Sequence, residues 1–147
     1  MKKLWFKRLA HSDGNPLPSY ETESSAGMDI RAALTDATTL HPGSRALVPT
    51  GFCMAIPEGY EAQVRPRSGL AIKYGIGLLN SPGTIDSDYR GEVKIIMINH
   101  GEEPFTIHHG DRIAQIVISQ VEKLHPVETD SLEETERGSG GFGSTGV

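Results

Sequence analysis

Apolar and polar residues alternate along the chain in short runs, and turn signals separate nearly all of these runs. Val, Ile and Thr are spread through the runs rather than gathered on helical stripes, which favours β-strands. Gly- and Pro-containing turns recur about every ten residues, a spacing typical of an all-β sandwich, barrel or jelly roll. The pattern predicts strands over residues 4–9, 28–32, 38–40, 45–56, 60–65, 76–79, 93–99, 105–108 and 113–121.

Only residues 69–74 and 130–136 have a pattern compatible with helical turns. We predict a β jelly-roll domain over residues 1–127, because the composition changes after Val127. Five of the nine residues from 128 to 136 are acidic, and the Gly-rich segment beyond them has Phe142 as its single large apolar residue. Such a segment cannot bury enough surface to offset the entropy lost on ordering. Residues 128–147 are therefore predicted to form a flexible C-terminal arm.

The composition indicates one globular domain, with 147 residues, 37% hydrophobic side chains and 17 glycines. The formal net charge is −5 and the Lys and Arg residues are scattered, which argues against a nucleic-acid partner. No apolar run is long enough for a membrane span or a signal peptide. The single cysteine, Cys53, lies in an apolar run, which predicts a core-packing role and a reducing, cytoplasmic location.

Several familiar motifs are present only in part. Residues 138–143 read G-x-G-x-x-G, but too few residues follow for the helix of a dinucleotide site, and Ser144 stands where a phosphate-binding loop requires Lys. The acidic loop that begins at Asp86 lacks the Glu that closes an EF-hand. The six histidines have no zinc-ligand spacing, and G-x-S-x-G is absent. These five kinds of site are excluded.

Three turns and the arm carry polar groups suited to an anion and an amide. Residues 66–71 place a guanidinium, a hydroxyl and a Gly N–H at a strand end, an arrangement suited to a phosphate. Residues 80–86 put an amide ahead of a Gly turn and a carboxylate, and residues 110–115 set Gln115 on a strand. In the arm, glycine N–H groups and Arg137 could hold an anion while Phe142 stacks on a base. Each feature alone is more often ordinary turn chemistry; together they predict a site built from loops.

In order along the chain, five segments resemble the motifs of the trimeric dUTP diphosphatases. They are Ala-Gly-Met-Asp-Ile at 26–30, Pro-Arg-Ser-Gly-Leu-Ala at 66–71, Asn-Ser-Pro-Gly-Thr-Ile-Asp-Ser-Asp-Tyr-Arg-Gly at 80–91, Gly-Asp-Arg-Ile-Ala-Gln at 110–115 and Arg-Gly-Ser-Gly-Gly-Phe-Gly-Ser-Thr-Gly at 137–146. The resemblance implies a jelly-roll homotrimer with shared active sites and a fifth motif that closes as a flap. It also implies Mg²⁺-assisted hydrolysis of dUTP to dUMP and diphosphate, which limits uracil incorporation into DNA and supplies dUMP for thymidylate synthesis.

The same resemblance assigns roles to individual residues. Asp86 is the expected general base, and Asp29 is expected to hold Mg²⁺ through water. The residues expected to bind the triphosphate are Arg67, Ser68, Gly69 and Gln115, with Arg137, Gly143, Ser144 and Thr145 closing over its γ end. The residues expected to line the uracil pocket are Asn80, Gly83, Thr84, Ile85 and Lys94. Phe142 is expected to stack on uracil and Tyr89 to pack against the deoxyribose.

Two other functions remain open. The related dCTP deaminases share the fold, but they are expected to carry a catalytic Glu where this chain has Ile96. A non-catalytic jelly-roll protein, either a nucleotide-binding regulator or a structural subunit, is the second alternative. Retention of Asp86, Asn80 and the complete fifth motif argues against it, because a structural module has no use for that set.

Overall fold

The structure, a computed structural model, describes residues 2–146. Ten strands, one short α-helix and one 3₁₀ turn account for its regular elements. The strands are β1 (Trp5–Arg8), β2 (Gly27–Arg31), β3 (Thr38–Leu40), β4 (Arg45–Ala55), β5 (Tyr60–Arg65), β6 (Ile76–Leu78), β7 (Gly83–Ile85), β8 (Glu92–Asn99), β9 (Phe105–Ile107) and β10 (Arg112–Gln120). The helix α1 spans Ser68–Tyr74, and the 3₁₀ turn spans Ala10–Ser12.

Two four-stranded antiparallel sheets enclose one hydrophobic core. The first sheet has the strand order β1-β4-β8-β6 and the second β2-β10-β5-β7, while β3 and β9 form a separate pair. Apolar side chains from both sheets belong to one buried cluster. The largest fully buried side chains include Phe52, Ile30, Leu40, Ile95, Met97, Ile107, Ile113 and Ile116. The prediction of an all-β, jelly-roll-like fold is thus confirmed.

Strand register in the second sheet decides which side chains face the core and which face outward. Ile116 on β10 lies opposite Met28 of β2 and Val64 of β5, and all three are buried. The preceding residue, Gln115, lies opposite Asp29 and is only partly buried. Because successive strand residues point to opposite faces, the core row and the polar row are set by one register.

All nine predicted strands are present, with ends that agree within one or two residues. The helical turn over 69–74 is α1, which ends at a Gly75 with φ of 68°, as a left-handed helix cap favours. The segment 130–136 contains no helix. One strand was not predicted: β7 has only three residues and follows Pro82, so its sequence has the character of a turn.

The prediction that Cys53 packs in the core is wrong. Phe52 and Met54 on either side are buried, whereas Cys53 is only partly buried. Side chains alternate along a strand, so two buried neighbours direct the thiol to the outer face of the first sheet. There it stands in register between Lys7 on β1 and Glu92 on β8.

The described part of the arm, residues 128–146, contains neither strand nor helix, and its side chains are almost all exposed. Met1 and Val147, the outer ends of the predicted domain and arm, lie outside the described residues. Within residues 2–146, no helix has both the length and the apolar character that crossing a membrane requires.

Candidate active site

An arginine–aspartate cluster forms at one end of the second sheet. The Asp29 carboxylate accepts a hydrogen bond from Arg67 Nε at 3.1 Å and lies 3.4 Å from Arg112 NH1. Arg67 NH1 also donates to the backbone carbonyl of Arg112 at 3.4 Å. Arg31, Arg67 and Arg112 line one cavity of about 380 Å³. Asp111 lines the same cavity, so two carboxylates stand among three guanidinium groups, and the net positive charge of this end of the sheet suits an anion.

Gln115 holds the loop that enters α1. Its Nε2 donates to the carbonyl of Pro66 at 3.1 Å. Gly27 makes room for this side chain, because a Cβ at Gly27 would lie 2.6 Å from the Gln115 Oε1. Ser68 and Gly69 follow as the first residues of α1, both exposed, with nothing within 4 Å of a Cβ built on Gly69. The predicted phosphate-binding residues of two motifs and the predicted metal residue of a third, Asp29, therefore meet at this end of the sheet.

A second feature, the β7–β8 cavity, has a volume of about 430 Å³. It brings together five residues predicted as a site, with apolar and charged neighbours from β4 and β8. Its lining residues are Thr84, Ile85, Asp86, Tyr89 and Lys94 together with Leu47, Glu92, Val93 and Ile96. A space of this size, apolar on one side and bearing a carboxylate at its edge, fits a nucleoside.

The loop between β7 and β8 is closed by its own hydrogen bonds. The Tyr89 N–H donates to the Asp86 carbonyl at 3.2 Å, and the Tyr89 hydroxyl donates to the Glu92 carbonyl at 3.0 Å. Arg90 NH1 donates to the carbonyls of Ser87 and Tyr89 at 2.7 and 3.0 Å. These bonds fix the Tyr89 ring at the cavity. The Asp86 side chain is exposed and receives no hydrogen bond from residues 2–146.

Strand β7 is the edge of the second sheet, with β5 as its single partner. An edge strand directs half of its backbone N–H and C=O groups away from the sheet, and here Thr84 and Ile85 line the cavity. Asn80 lies beside this strand, since a Cβ at Gly83 would be 3.3 Å from its Nδ2. A side chain at Gly83 would crowd the Asn80 amide, which would have to shift by a few tenths of an ångström.

The arm forms turns that contact little beyond themselves. Arg137 Nε donates to the Gly140 carbonyl at 2.9 Å, and the Ser144 N–H donates to the Gly141 carbonyl at 3.0 Å. Phe142 is fully exposed and has a φ of 52°, in the left-handed region. The predicted residues of this motif, Arg137, Phe142, Gly143, Ser144 and Thr145, line one hollow.

The site residues predicted from the sequence thus fall into three groups: the arginine–aspartate cluster, the β7–β8 cavity and the arm. Their cavities share no lining residue within the chain. Sequence reasoning gave no role to Arg112, which pairs with Asp29, or to Glu92, which lines the β7–β8 cavity. Arg112 stands inside a motif and could have been selected as a second guanidinium; nothing in the sequence marks Glu92.

Asp29 is the carboxylate predicted to hold a metal. In the part of the chain that the structure describes, no three His, Cys, Asp or Glu side chains are grouped to bind an ion. The donor set is therefore one carboxylate in a basic cluster. It fits Mg²⁺ bound mainly by phosphate oxygens and water, the usual arrangement for a nucleotide-bound ion, and does not fit an all-protein cage.

Comparisons with known proteins all find similarity to one family. The dUTPase family model matches residues 13–146. The chain is 63% identical to a deoxyuridine 5'-triphosphate nucleotidohydrolase of Rhizobium rhizogenes, over 95% of this chain and 91% of that protein. It is 58% identical to the enzyme of the same name from Beijerinckia indica, over 98% and 91% of the two chains.

A solved structure of the Staphylococcus bacteriophage 80alpha dUTPase with dUPNHPP is similar over its full length. Its TM-score is 0.89 at 27% sequence identity, and each chain is covered completely. With a family match over nearly the whole chain and relatives near 60% identity, the relationship does not depend on any single motif. The chain belongs to the dUTPase family.

Proposed function

We propose that this chain hydrolyses dUTP to dUMP and diphosphate. The observation that carries the proposal is the β7–β8 cavity, where a strand edge, the Tyr89 ring and the Asp86 carboxylate share about 430 Å³. The names of its relatives support the reaction, as does the dUTP analogue bound by the phage protein.

Uracil would bind along the outer edge of β7. Its Watson–Crick edge presents a carbonyl, an N–H and a second carbonyl, and the backbone of Thr84 and Ile85 with the Asn80 amide can complement them. Lys94 lines the same space. Cytosine presents a donor in place of one carbonyl, so it would leave buried groups unpaired, which costs about 1 to 3 kcal/mol for each group. This arrangement favours uracil over cytosine.

Deoxyribose would pack against Tyr89. The ring lies over Gly91, where a Cβ would come within 3.0 Å of Cε2, and its hydroxyl is anchored to Glu92. A ring held by its hydroxyl and packed against Gly91 would clash with a ribose 2'-hydroxyl. We therefore assign sugar selection to Tyr89.

The triphosphate would lie between the arginine–aspartate cluster and the arm. Arg67 with the N–H groups near Ser68 and Gly69 faces the α and β phosphates, and Gln115 holds their loop. From the arm, the groups assigned to the γ end are Arg137, Gly143, Ser144 and Thr145. Mg²⁺ held by Asp29 through water would, when bound, offset phosphate charge and polarise the α-phosphoryl group.

Asp86 is proposed as the general base. Its exposed carboxylate accepts a proton from a water molecule, whose oxygen forms a bond to the α-phosphorus. The bond from that phosphorus to the bridging oxygen breaks on the opposite side, and diphosphate leaves. The donors of the arginine cluster and the arm stabilise the charge on the transferring group.

The complete site would require a homotrimer. The β7–β8 cavity and the arginine–aspartate cluster share no lining residue, so a neighbouring copy would bring them together. Large apolar side chains are available for contacts between copies, with Trp5 62% and Leu47 58% exposed. Light scattering should give about three times the chain mass of 15.9 kDa, and a fully active monomer would contradict the shared site.

The division into a jelly-roll domain (1–127) and an arm (128–147), and a cytoplasmic location, are part of this proposal. In the cell, the reaction would limit uracil incorporation into DNA and supply dUMP for thymidylate synthesis. Small-molecule dUTP is the proposed partner, with no nucleic acid or membrane.

The test is diphosphate release from dUTP, dCTP, dTTP and UTP, with and without Mg²⁺. We expect turnover of dUTP alone at an appreciable rate, and strong dependence on Mg²⁺. Ammonia release from dCTP would instead favour a deaminase, although Ile96 in the cavity offers no carboxylate for it. Tight binding of dUTP without diphosphate release would favour a nucleotide-binding regulator.

A further inference from the structure

The 3₁₀ turn near the N-terminus carries a histidine that reaches the start of β8, across 81 residues of sequence. His11 Nε2 lies 2.5 Å from Oε1 and 3.2 Å from Oε2 of Glu92. The His11 side chain is 41% exposed, but that of Glu92 is only 12% exposed. A largely buried carboxylate needs hydrogen bonds to remain in place. Among residues 2–146, His11 is the only side chain that donates to it.

The turn beneath His11 is fixed to the first sheet. Ser12 is fully buried, and its hydroxyl donates to the Leu9 carbonyl at 2.9 Å. Arg8 NH1 donates to the Ser12 carbonyl at 3.0 Å. Gly51 on β4 has a φ of 71°, and a Cβ there would lie 2.8 Å from the Ser12 nitrogen. The imidazole therefore extends from a 3₁₀ turn that has little freedom to move.

Glu92 links the 3₁₀ turn to the β7–β8 cavity. It is the first residue of β8, and its backbone carbonyl accepts the hydrogen bond from the Tyr89 hydroxyl. Its side chain lines the cavity beside Tyr89 and Asp86. The Glu92 side chain is thus held by His11, and the Glu92 backbone carbonyl in turn holds the Tyr89 hydroxyl.

We propose that His11 is a positioning residue for sugar selection, which holds Glu92 and, through the Glu92 carbonyl, the Tyr89 ring. The inference rests on the proposed function, because that function assigns deoxyribose to Tyr89. Without His11 the Glu92 carboxylate turns toward water and carries the start of β8 with it. The tyrosine then loses its fixed acceptor, and space opens for a ribose 2'-hydroxyl.

The first experiment measures kcat/KM for dUTP and for UTP in His11→Ala. We expect the dUTP/UTP ratio to fall about tenfold, the change that corresponds to losing one positioned hydrogen bond. His11→Gln keeps an N–H donor of similar reach and should restore most of the ratio, whereas the shorter His11→Asn should not. His41→Ala is the matched control, since His41 is exposed and its side chain makes no hydrogen bond within residues 2–146; its ratio should equal that of the wild type.

A double-mutant cycle tests the route through Glu92. Glu92→Ala should lower the ratio as His11→Ala does, and the double variant should be no worse than either. Equal ratios for His11→Gln, His11→Asn and wild type would overturn the inference even if His11→Ala fails to fold. Independent, additive effects would overturn it as well. Tyr89→Ala separates the proposed sugar role of Tyr89 from the positioning role of His11. If Tyr89→Ala lowers the dUTP/UTP ratio and the His11 variants do not, only the role of His11 is wrong. If Tyr89→Ala leaves the ratio unchanged, the sugar role of Tyr89 and the role of His11 are both wrong.

Discussion

The arginine–aspartate cluster and the arm carry similar groups, but different numbers of contacts hold them. Arg67 is bonded to the Asp29 carboxylate at 3.1 Å and to a backbone carbonyl, at a sheet end fixed by strand register. Within residues 2–146, the Arg137 guanidinium donates only to Gly140, three residues away, in a segment without strand or helix. A group held before the ligand arrives loses little entropy on binding, whereas a group on a loose segment must be ordered by the ligand.

The two aromatic residues of the site differ in the same way. Tyr89 is anchored at both its N–H and its hydroxyl, while Phe142 is fully exposed. A fixed ring can reject a substrate by steric clash, whereas an exposed ring can only add a contact to a substrate that is already bound. Under the proposed function, selection and chemistry would belong to the jelly-roll domain, and closure to the arm.

The largest effect should come from Asp86→Asn, which tests the chemistry proposed for the jelly-roll domain. Asn keeps the size of the side chain but cannot take a proton, so turnover should fall by about 10²- to 10⁴-fold. Binding of dUTP should be retained, because the arginine cluster and the arm are unchanged. Steady-state kinetics and calorimetric titration with dUTP measure both quantities.

Turnover within a few-fold of the wild type would mean that Asp86 is not the general base. Asp88→Asn is the matched control two residues along the same loop. It should leave turnover unchanged, because Asp88 has no assigned role and does not line the β7–β8 cavity.

Ending the chain after Glu136 removes the arm's motif and tests the other side of the comparison. Folding and trimer formation should survive, since residues 137–146 supply nothing to the buried core. kcat/KM for dUTP should fall about 10²-fold, because Arg137 and the exclusion of water are lost together. An unchanged kcat/KM would mean that the arm is only a linker.

The sequence was sufficient for nine of the ten strands and for locating the five motifs, because alternation and turn chemistry are local. It was insufficient where a contact joins distant segments. Arg67 meets Asp29 across 38 residues, and His11 meets Glu92 across 81. Pairings of that kind follow from sheet order, which no local pattern contains.

Local patterns also failed in two places. Around Cys53 the strand is apolar on both sides, so no alternation indicated that the thiol faces outward. In β7 the residues Gly83 to Ile85 are too few to show a period, and the strand exists because β5 offers it a pairing edge. The missed strand is the one that lines the cavity, so only the family resemblance, and no local pattern, pointed to Thr84 and Ile85 as residues of the uracil pocket.

A matched pair of variants compares the two arginines directly. Arg67→Gln and Arg137→Gln should each lower kcat/KM for dUTP by roughly tenfold, the cost of one charge-assisted hydrogen bond. Only Arg67→Gln should also lower the free energy of unfolding, by about 1 kcal/mol, because Asp29 loses its nearest partner. Thermal unfolding of the two variants decides it: equal melting temperatures would mean that the cluster is no more organised than the arm.

The smallest effect should come from Phe142→Ala. Its ring is fully exposed in the free chain, so the substitution should leave the melting temperature unchanged and act only on the complex. Loss of one base–aromatic contact, about 1 kcal/mol at the low end of such contacts, would raise the KM for dUTP roughly fivefold. Phe142→Trp should retain binding, and its emission should change on addition of the non-hydrolysable analogue dUpNHpp, with Trp5 replaced by Phe to remove background. No change in emission at saturating analogue would mean that the ring stays in solvent, and that the arm closes through Arg137 and its backbone alone.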